Sequence, residues 1–157
     1  MKSSQPSHRE STGQDRRTLG QRGEEFAAAY LEQLGYRLVA ANFTLAVGRN
    51  LRGQTVNAEI DLVAYDGPTL CFVEVKTRAS DWFAPPEVNV DRRKKRQVAR
   101  AARAYRQMLS LQNQPYRYDV VTVVLSAGSD AIEIELLRNF WNDRQLRKRR
   151  WIERFDD

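Results

Sequence analysis

The sequence predicts an α/β domain, a mixed β-sheet flanked by helices, on three observations. Apolar residues recur at helical spacing in two separate stretches: Phe26, Ala27, Tyr30, Leu31 and Leu34, then Val98, Ala101, Ala102, Tyr105 and Leu109. Tyr116 to Leu125 reads as one apolar strand of the kind buried on both faces. The order helix, strand, hairpin, helix, strand, strand then implies a mixed sheet with helices packed on it. At 157 residues the chain has room for one core and tails.

Met1 to Arg17 is polar and charged with almost no apolar content, which does not offset the entropy of ordering, so residues 1–18 are expected to be a disordered tail. A helix follows from Leu19 and stops at Gly35, a residue suited to the left-handed conformation. Tyr36 to Asn42 reads as a strand. Thr44 to Asn57, rich in Gly, Asn, Arg and Gln, reads as a loop or a flexible strand extension. Glu59 to Tyr65 and Leu70 to Thr77 form a hairpin through Asp66, Gly67, Pro68 and Thr69, strong turn formers. Arg78 to Pro86 is a loop in which Trp82 and Phe83 are read as covering a core edge rather than stacking on a base. Asp91 caps the second, strongly basic helix. Ala131 to Leu137 is the last strand, which closes a domain over 19–137. Residues 138–157 then read as a basic, aromatic-bearing helix or tail.

Lys and Arg outnumber Asp and Glu by 26 to 20, a net charge of +6. The excess is clustered, so an anionic partner is expected. Nucleic acid, DNA above all, fits better than a membrane, because the sequence has no long apolar run and its start is hydrophilic. A soluble, cytoplasmic protein is the expectation. Cys71 is the only cysteine and sits in an apolar run, which excludes a disulfide framework and a cysteine-ligated zinc site. His8, the only histidine, lies in the tail, which removes His-dependent nucleophilic and metal chemistry. Any catalysis falls to carboxylates and lysine.

Strand side chains alternate between faces, so Glu59, Asp61 and Val63 share one face of the first hairpin strand, and Glu74 and Lys76 one face of the second. A turn spanning Asp66 to Thr69 pairs Tyr65 with Leu70, sets Asp61 opposite Glu74 and Glu59 opposite Lys76. The two-residue alternative, Asp66 and Gly67, shifts the pairs by one step of two and keeps the faces. Ile60, Leu62, Ala64, Cys71, Val73 and Val75 then occupy the opposite, buried face. Spacing alone fits the wet side of a half-covered sheet equally well, but Val63, Tyr65, Leu70 and Phe72 carry apolar surface toward the charges and point to a cleft. Facing carboxylates repel and call for a compensating cation. Mg²⁺ or Mn²⁺ on Asp61 and Glu74, with Lys76 orienting a water or stabilising the transition state, would hydrolyse a phosphodiester without histidine.

Gly23-Glu24-Glu25 opening a helix, Glu59-Ile60-Asp61-Leu62-Val63, Phe72-Val73-Glu74-Val75-Lys76-Thr77-Arg78, Lys94, and Arg117-Tyr118-Asp119-Val120-Val121 resemble the YraN-like family of uncharacterised proteins, UPF0102. That family is similar to archaeal Holliday junction resolvases. The resemblance, over roughly Leu19 to Leu125, implies a restriction-endonuclease-like fold with the PD-(D/E)XK motif on Asp61, Glu74 and Lys76. It also implies Glu24 as the helix-borne acid that completes the metal site, and Lys94 as a second cation. Ala58 stands where the family usually has glycine. The resolvases act as dimers, so a homodimer is implied as well, although no stretch of sequence marks its face.

Arg92, Arg93, Lys94, Lys95, Arg96 and Arg100 on the second helix, with Arg78 after the catalytic strand, are the expected phosphate contacts. Few acids interrupt them to form pairs along the helix. Three functions compete: a Mg²⁺-dependent endonuclease, acting on DNA that the resolvase resemblance suggests is branched; a non-cutting nucleic-acid-binding module of the same fold; and a basic module that docks an acidic protein. Retention of Glu24, Asp61, Glu74 and Lys76 favours the first.

Overall fold

The computed structural model describes residues 12–80 and 88–147. A five-stranded mixed sheet runs in the order β1-β2-β3-β4-β5, with β1 Arg37–Arg49, β2 Thr55–Asp66, β3 Thr69–Ser80, β4 Tyr116–Ser126 and β5 Ile132–Trp141. Only β3 and β4 pair in parallel; the other neighbours are antiparallel. Helix α1, Thr12–Gln33, covers one face. Helix α2, Arg92–Met108, covers the other and forms the crossover that parallel neighbours require. A short α3, Asp143–Leu146, follows β5.

Burial explains the layers. Val98, Ala101, Ala102 and Tyr105 of α2 pack on Ile60, Val63, Leu70, Phe72, Tyr118 and Val120, whereas Ala27 and Leu31 of α1 pack on Leu62, Ala64, Cys71, Val73, Val121 and Val123. β4 is the fully covered strand its composition predicts. Gly35 takes φ +89°, and Asp91 caps α2 by accepting the Lys94 N–H at 2.8 Å. Gly23 is buried where α1 meets β3, and a Cβ there would fall 1.8 Å from Thr77 Oγ1. Glycine thus sets how closely α1, and Glu24 with it, approaches the sheet.

Four expectations change. Helix α1 begins at Thr12, inside the stretch expected to be tail, because extending a nucleated helix costs far less than starting one; residues 1–11 lie outside the described residues. The loop reading of Thr44 to Asn57 drops out and its strand-extension reading holds: the stretch is the outer half of a long β1–β2 hairpin, paired out to Arg49 and Thr55. Asn50 Oδ1 closes its end by accepting the N–H groups of Arg52 and Gln54 at 3.0 and 2.9 Å. Arg138 to Trp141, expected in the basic terminal segment, belongs to β5. Trp141 is 1% exposed and stacks on Tyr118 at 4.8 Å, so its apolar area went to the core rather than to a terminal arm. Trp82, Phe83 and Lys148 onward lie outside the described residues.

Candidate metal and nucleic-acid site

Tyr65 pairs with Leu70 and Asp66 with Thr69, leaving Gly67 and Pro68 as the loop; this is the longer-turn register. The β2–β3 ladder ends at Leu62 and Val73. One step beyond, where the strands part, stand Asp61 and Glu74. The Asp61 carboxylate takes the place of the missing ladder partner: its Oδ2 accepts the Val75 N–H at 2.8 Å. Because the ladder has ended, Glu59 does not face Lys76.

The site departs from simple alternation at one step on both β1 and β2. Ala58 and Ile60 belong to the α2-side core and Leu62 and Ala64 to the α1-side core, so β2 changes face at Asp61. Ile60 is therefore not on the face that the sequence reading assigned it. Opposite Asp61, between the pairs Ala41–Leu62 and Phe43–Ile60, lies Asn42 with φ +50°. On β1 the face likewise changes between Ala40 and Phe43, both on the α2 side despite their odd separation. Asn42 lies near the acids on the α1 side. With its amide nitrogen turned toward them, the orientation in which both contacts are hydrogen bonds, it donates to Glu24 Oε2 at 2.9 Å and Glu59 Oε1 at 3.1 Å. The sequence reading missed Asn42. Its signal was a lone amide inside an otherwise apolar strand, where Asn is depleted.

Asp61 and Glu74 are 9% and 5% exposed. Lys76 Nζ and Lys94 Nζ both stand 3.8 Å from the same oxygen, Glu74 Oε1, too far for strong hydrogen bonds. With both carboxyls ionised Glu74 Oε2 is buried without a partner, and a protonated Glu74 hydrogen-bonds to Asp61 instead. Burial, and then the neighbouring Asp61 charge, push the Glu74 carboxyl up to about 7 against the two lysines. Burial raises Asp61 also, opposed by the Val75 N–H and the lysines. Glu24, on α1, is raised by burial and by the Asp61 charge, which places it within electrostatic reach of the pair. The structure thus brings together Asp61, Glu74, Lys76, Lys94 and, from the opposite layer, Glu24. Among the described residues no group of three or more Asp, Glu, His or Cys side chains is placed to hold a metal ion, so the donors already side by side are the Asp61 and Glu74 pair.

The remaining expected contacts divide by helix face. Lys94 points inward to Glu74, whereas Arg92, Arg93 and Arg100 are exposed and Lys95 and Arg96 half-buried. Lys95 lies over the Phe140 ring, 5.6 Å from its centroid. Arg96, Arg100, Arg103, Arg106 and Arg147 line a cleft of about 480 Å³ between α2 and α3. Arg106 lies flat on Tyr116 at 3.7 Å, while Asp143, the acid in this cleft, is engaged by the Tyr116 and Tyr118 hydroxyls. Arg78 is exposed, two residues beyond Lys76 and on its face of β3.

Arg117 and Asp119 form a separate hub. Arg117 Nε donates to both Asp119 oxygens at 3.0 Å, and its terminal nitrogen to Tyr36 Oη at 2.6 Å and Asp66 Oδ2 at 2.8 Å. The Asn139 N–H donates to Asp119 Oδ1 at 2.8 Å. The hub ties β4 to the ends of α1 and β2 and to the irregular start of the β4–β5 ladder.

Residues 23–123 match the model of the uncharacterised protein family UPF0102. The chain belongs to this family. A UPF0102 protein of Caldicellulosiruptor saccharolyticus is 34% identical over 125 residues, covering 80% of this chain and 98% of that one. One from Geobacter sulfurreducens is 40% identical over 77% of this chain and 86% of its own length, and one from Solibacter usitatus 42% over 76% and 82%. The matched span runs from Gly23, beside Glu24, through the fork and α2 into β4. It therefore takes in every acid and lysine of the site.

Proposed function

We propose that this UPF0102 chain is a metal-dependent endonuclease that hydrolyses phosphodiester bonds in DNA, on a restriction-endonuclease-like core. The observation that carries the reading is the buried Asp61–Glu74 pair at the β2–β3 fork, with one Glu74 oxygen unpartnered and two lysines at its rim. A pure binding surface has no use for two like charges taken out of water.

The donor set fits a hard divalent cation. All the available ligands are carboxylate oxygens, the orphaned Glu74 Oε2 needs a partner, and Mg²⁺ ordinarily takes one or two carboxylates and leaves its other positions to water and phosphate. Asp61 and Glu74 would hold Mg²⁺ or Mn²⁺, with Glu24 drawn in from α1 as a third ligand, and the ion when bound supplies Lewis acidity toward phosphate and a more acidic water. Lys76, 42% exposed, presents a cation where a phosphate would enter, and is suited to orient a water or to stabilise charge developing in the transition state. Lys94 balances Glu74 from the α2 layer. Arg78, Arg92, Arg93 and Arg100, with the arginine cleft between α2 and α3, would hold the flanking backbone phosphates.

Two measurements test this. Calorimetric titration with Mg²⁺ or Mn²⁺ should show binding by the wild type and by Lys76→Ala, but not by Asp61→Ala or Glu74→Ala. A cleavage panel of linear, single-stranded, flapped and four-way DNA should show metal-dependent cutting that all three variants lose. Salt-sensitive DNA binding with neither metal binding nor cutting would make the chain a non-cutting nucleic-acid-binding module instead.

A further inference from the structure

We infer that Asn42 is the positioning residue of this site: its side-chain amide clamps Glu24 to Glu59 and so holds the helix-borne acid toward Asp61. The inference rests on the reading of the fork as a divalent-cation site. Three features of the fold converge on it.

The first is backbone. Asn42 has φ +50° in the middle of a 13-residue strand, a conformation that L residues avoid and that Asn tolerates better than most. The second is register. Asn42 lies opposite Asp61, and both strands change face there, so the kink that opens the fork on β2 is matched by the left-handed residue on β1. The third is chemistry. Two acids on different elements, Glu24 on α1 and Glu59 on β2, each receive a hydrogen bond from one NH₂ group, which has two protons to donate. A neutral donor between two carboxylates reduces their repulsion without neutralising either, so both keep a charge for a cation. Lysine or arginine there would instead compete with the metal. Nothing else among the described hydrogen bonds or ion pairs tethers the half-buried Glu24 side chain.

Substitution separates the two roles of this residue. Asn42→Gly keeps the left-handed backbone and deletes the amide, whereas Asn42→Ala strains the backbone as well. The melting temperature of Asn42→Gly should stay close to that of the wild type, yet its Mn²⁺ affinity, measured by calorimetry, should fall by roughly tenfold, as when other outer partners of metal ligands are removed. Asn42→Ala should lose both affinity and several degrees of melting temperature. In the metal-free wild type, NMR should detect nuclear Overhauser contacts from the Asn42 side-chain NH₂ protons to the Hγ protons of both Glu24 and Glu59. Absence of those contacts overturns the clamp, as does an Asn42→Gly protein that binds Mn²⁺ like the wild type. If the wild type binds no divalent ion while the contacts are present, the clamp stands and the cation reading of the fork fails.

Discussion

The β2–β3 fork and the Arg117 hub are both buried, charged and built where strand pairing is interrupted, yet they are solved in opposite ways. At the hub, Asp119 is fully buried and meets a guanidinium along two bonds and a backbone N–H, and Asp66 is held below its usual range, first of all by its hydrogen bond from Arg117. At the fork, two carboxylates meet each other, their lysines stand 3.8 Å away, and Glu74 is pushed up to about 7. Satisfied charge is architecture; unsatisfied charge marks a place kept for something else. The pH signatures differ in sign. Asp66, with a lowered folded value, adds stability above the ordinary carboxylate range that is lost as pH falls. Glu74, with a raised one, favours the protonated folded chain, so stability drops as pH rises from about 4.5 to about 7.

The comparison breaks most visibly at the hub. Arg117→Met strands Asp119 in the core without its cation, and chemical denaturation should register a loss of about 3–5 kcal/mol. At the fork the same kind of measurement should go the other way. Glu74→Gln removes the cost of ionising a buried acid, so at pH 8 it should be more stable than the wild type by about 2–3 kcal/mol, with the difference vanishing toward pH 4.5. A Glu74→Gln protein less stable than the wild type at pH 8 would sink the view that the fork is strained.

Gly23→Ala tests how the α1 layer is held over the site. The added methyl meets Thr77 and forces α1 off β3, which should cost about 1–3 kcal/mol and weaken divalent binding together, whereas Gly23→Ala paired with Thr77→Ser should recover part of both. The smallest effect expected is that of the cation on the wild type. On the proposed reading a metal would bind the deprotonated pair, so Mn²⁺ at ten times its dissociation constant should stabilise the protein by about 1.4 kcal/mol at pH 8 and by less at pH 6. Equal stabilisation at both pH values would separate the ion from Glu74.

Much of this architecture is legible in the order of the residues. Helical spacing locates α1 and α2, the apolar run locates β4, and Asp66 to Thr69 locates the hairpin with the register that places Asp61 beside Glu74. Those signals are local, because period and turn chemistry are properties of a few consecutive residues. Membership of α1 by Thr12–Thr18 and of β5 by Arg138–Trp141 is not legible, since composition sets a segment's average preference while packing against neighbours sets its end.

The sequence by itself determined the α/β layering, the basic second helix and the pairing of one carboxylate with another across the hairpin. Tertiary structure alone decided that Ile60 and Leu62 lie on opposite faces, that Glu59 turns to Asn42 rather than to Lys76, that Trp141 stacks in the core, and that Asn42 stands at the kink. The physical reason is a single one. Alternation along a strand holds only while every residue keeps an extended backbone. On β1 the positive φ of Asn42 reverses the facing of the residues after it, and β2, paired with it, changes face at Asp61 without one; the covering helices stabilise both reversals and the neighbouring letters do not encode them.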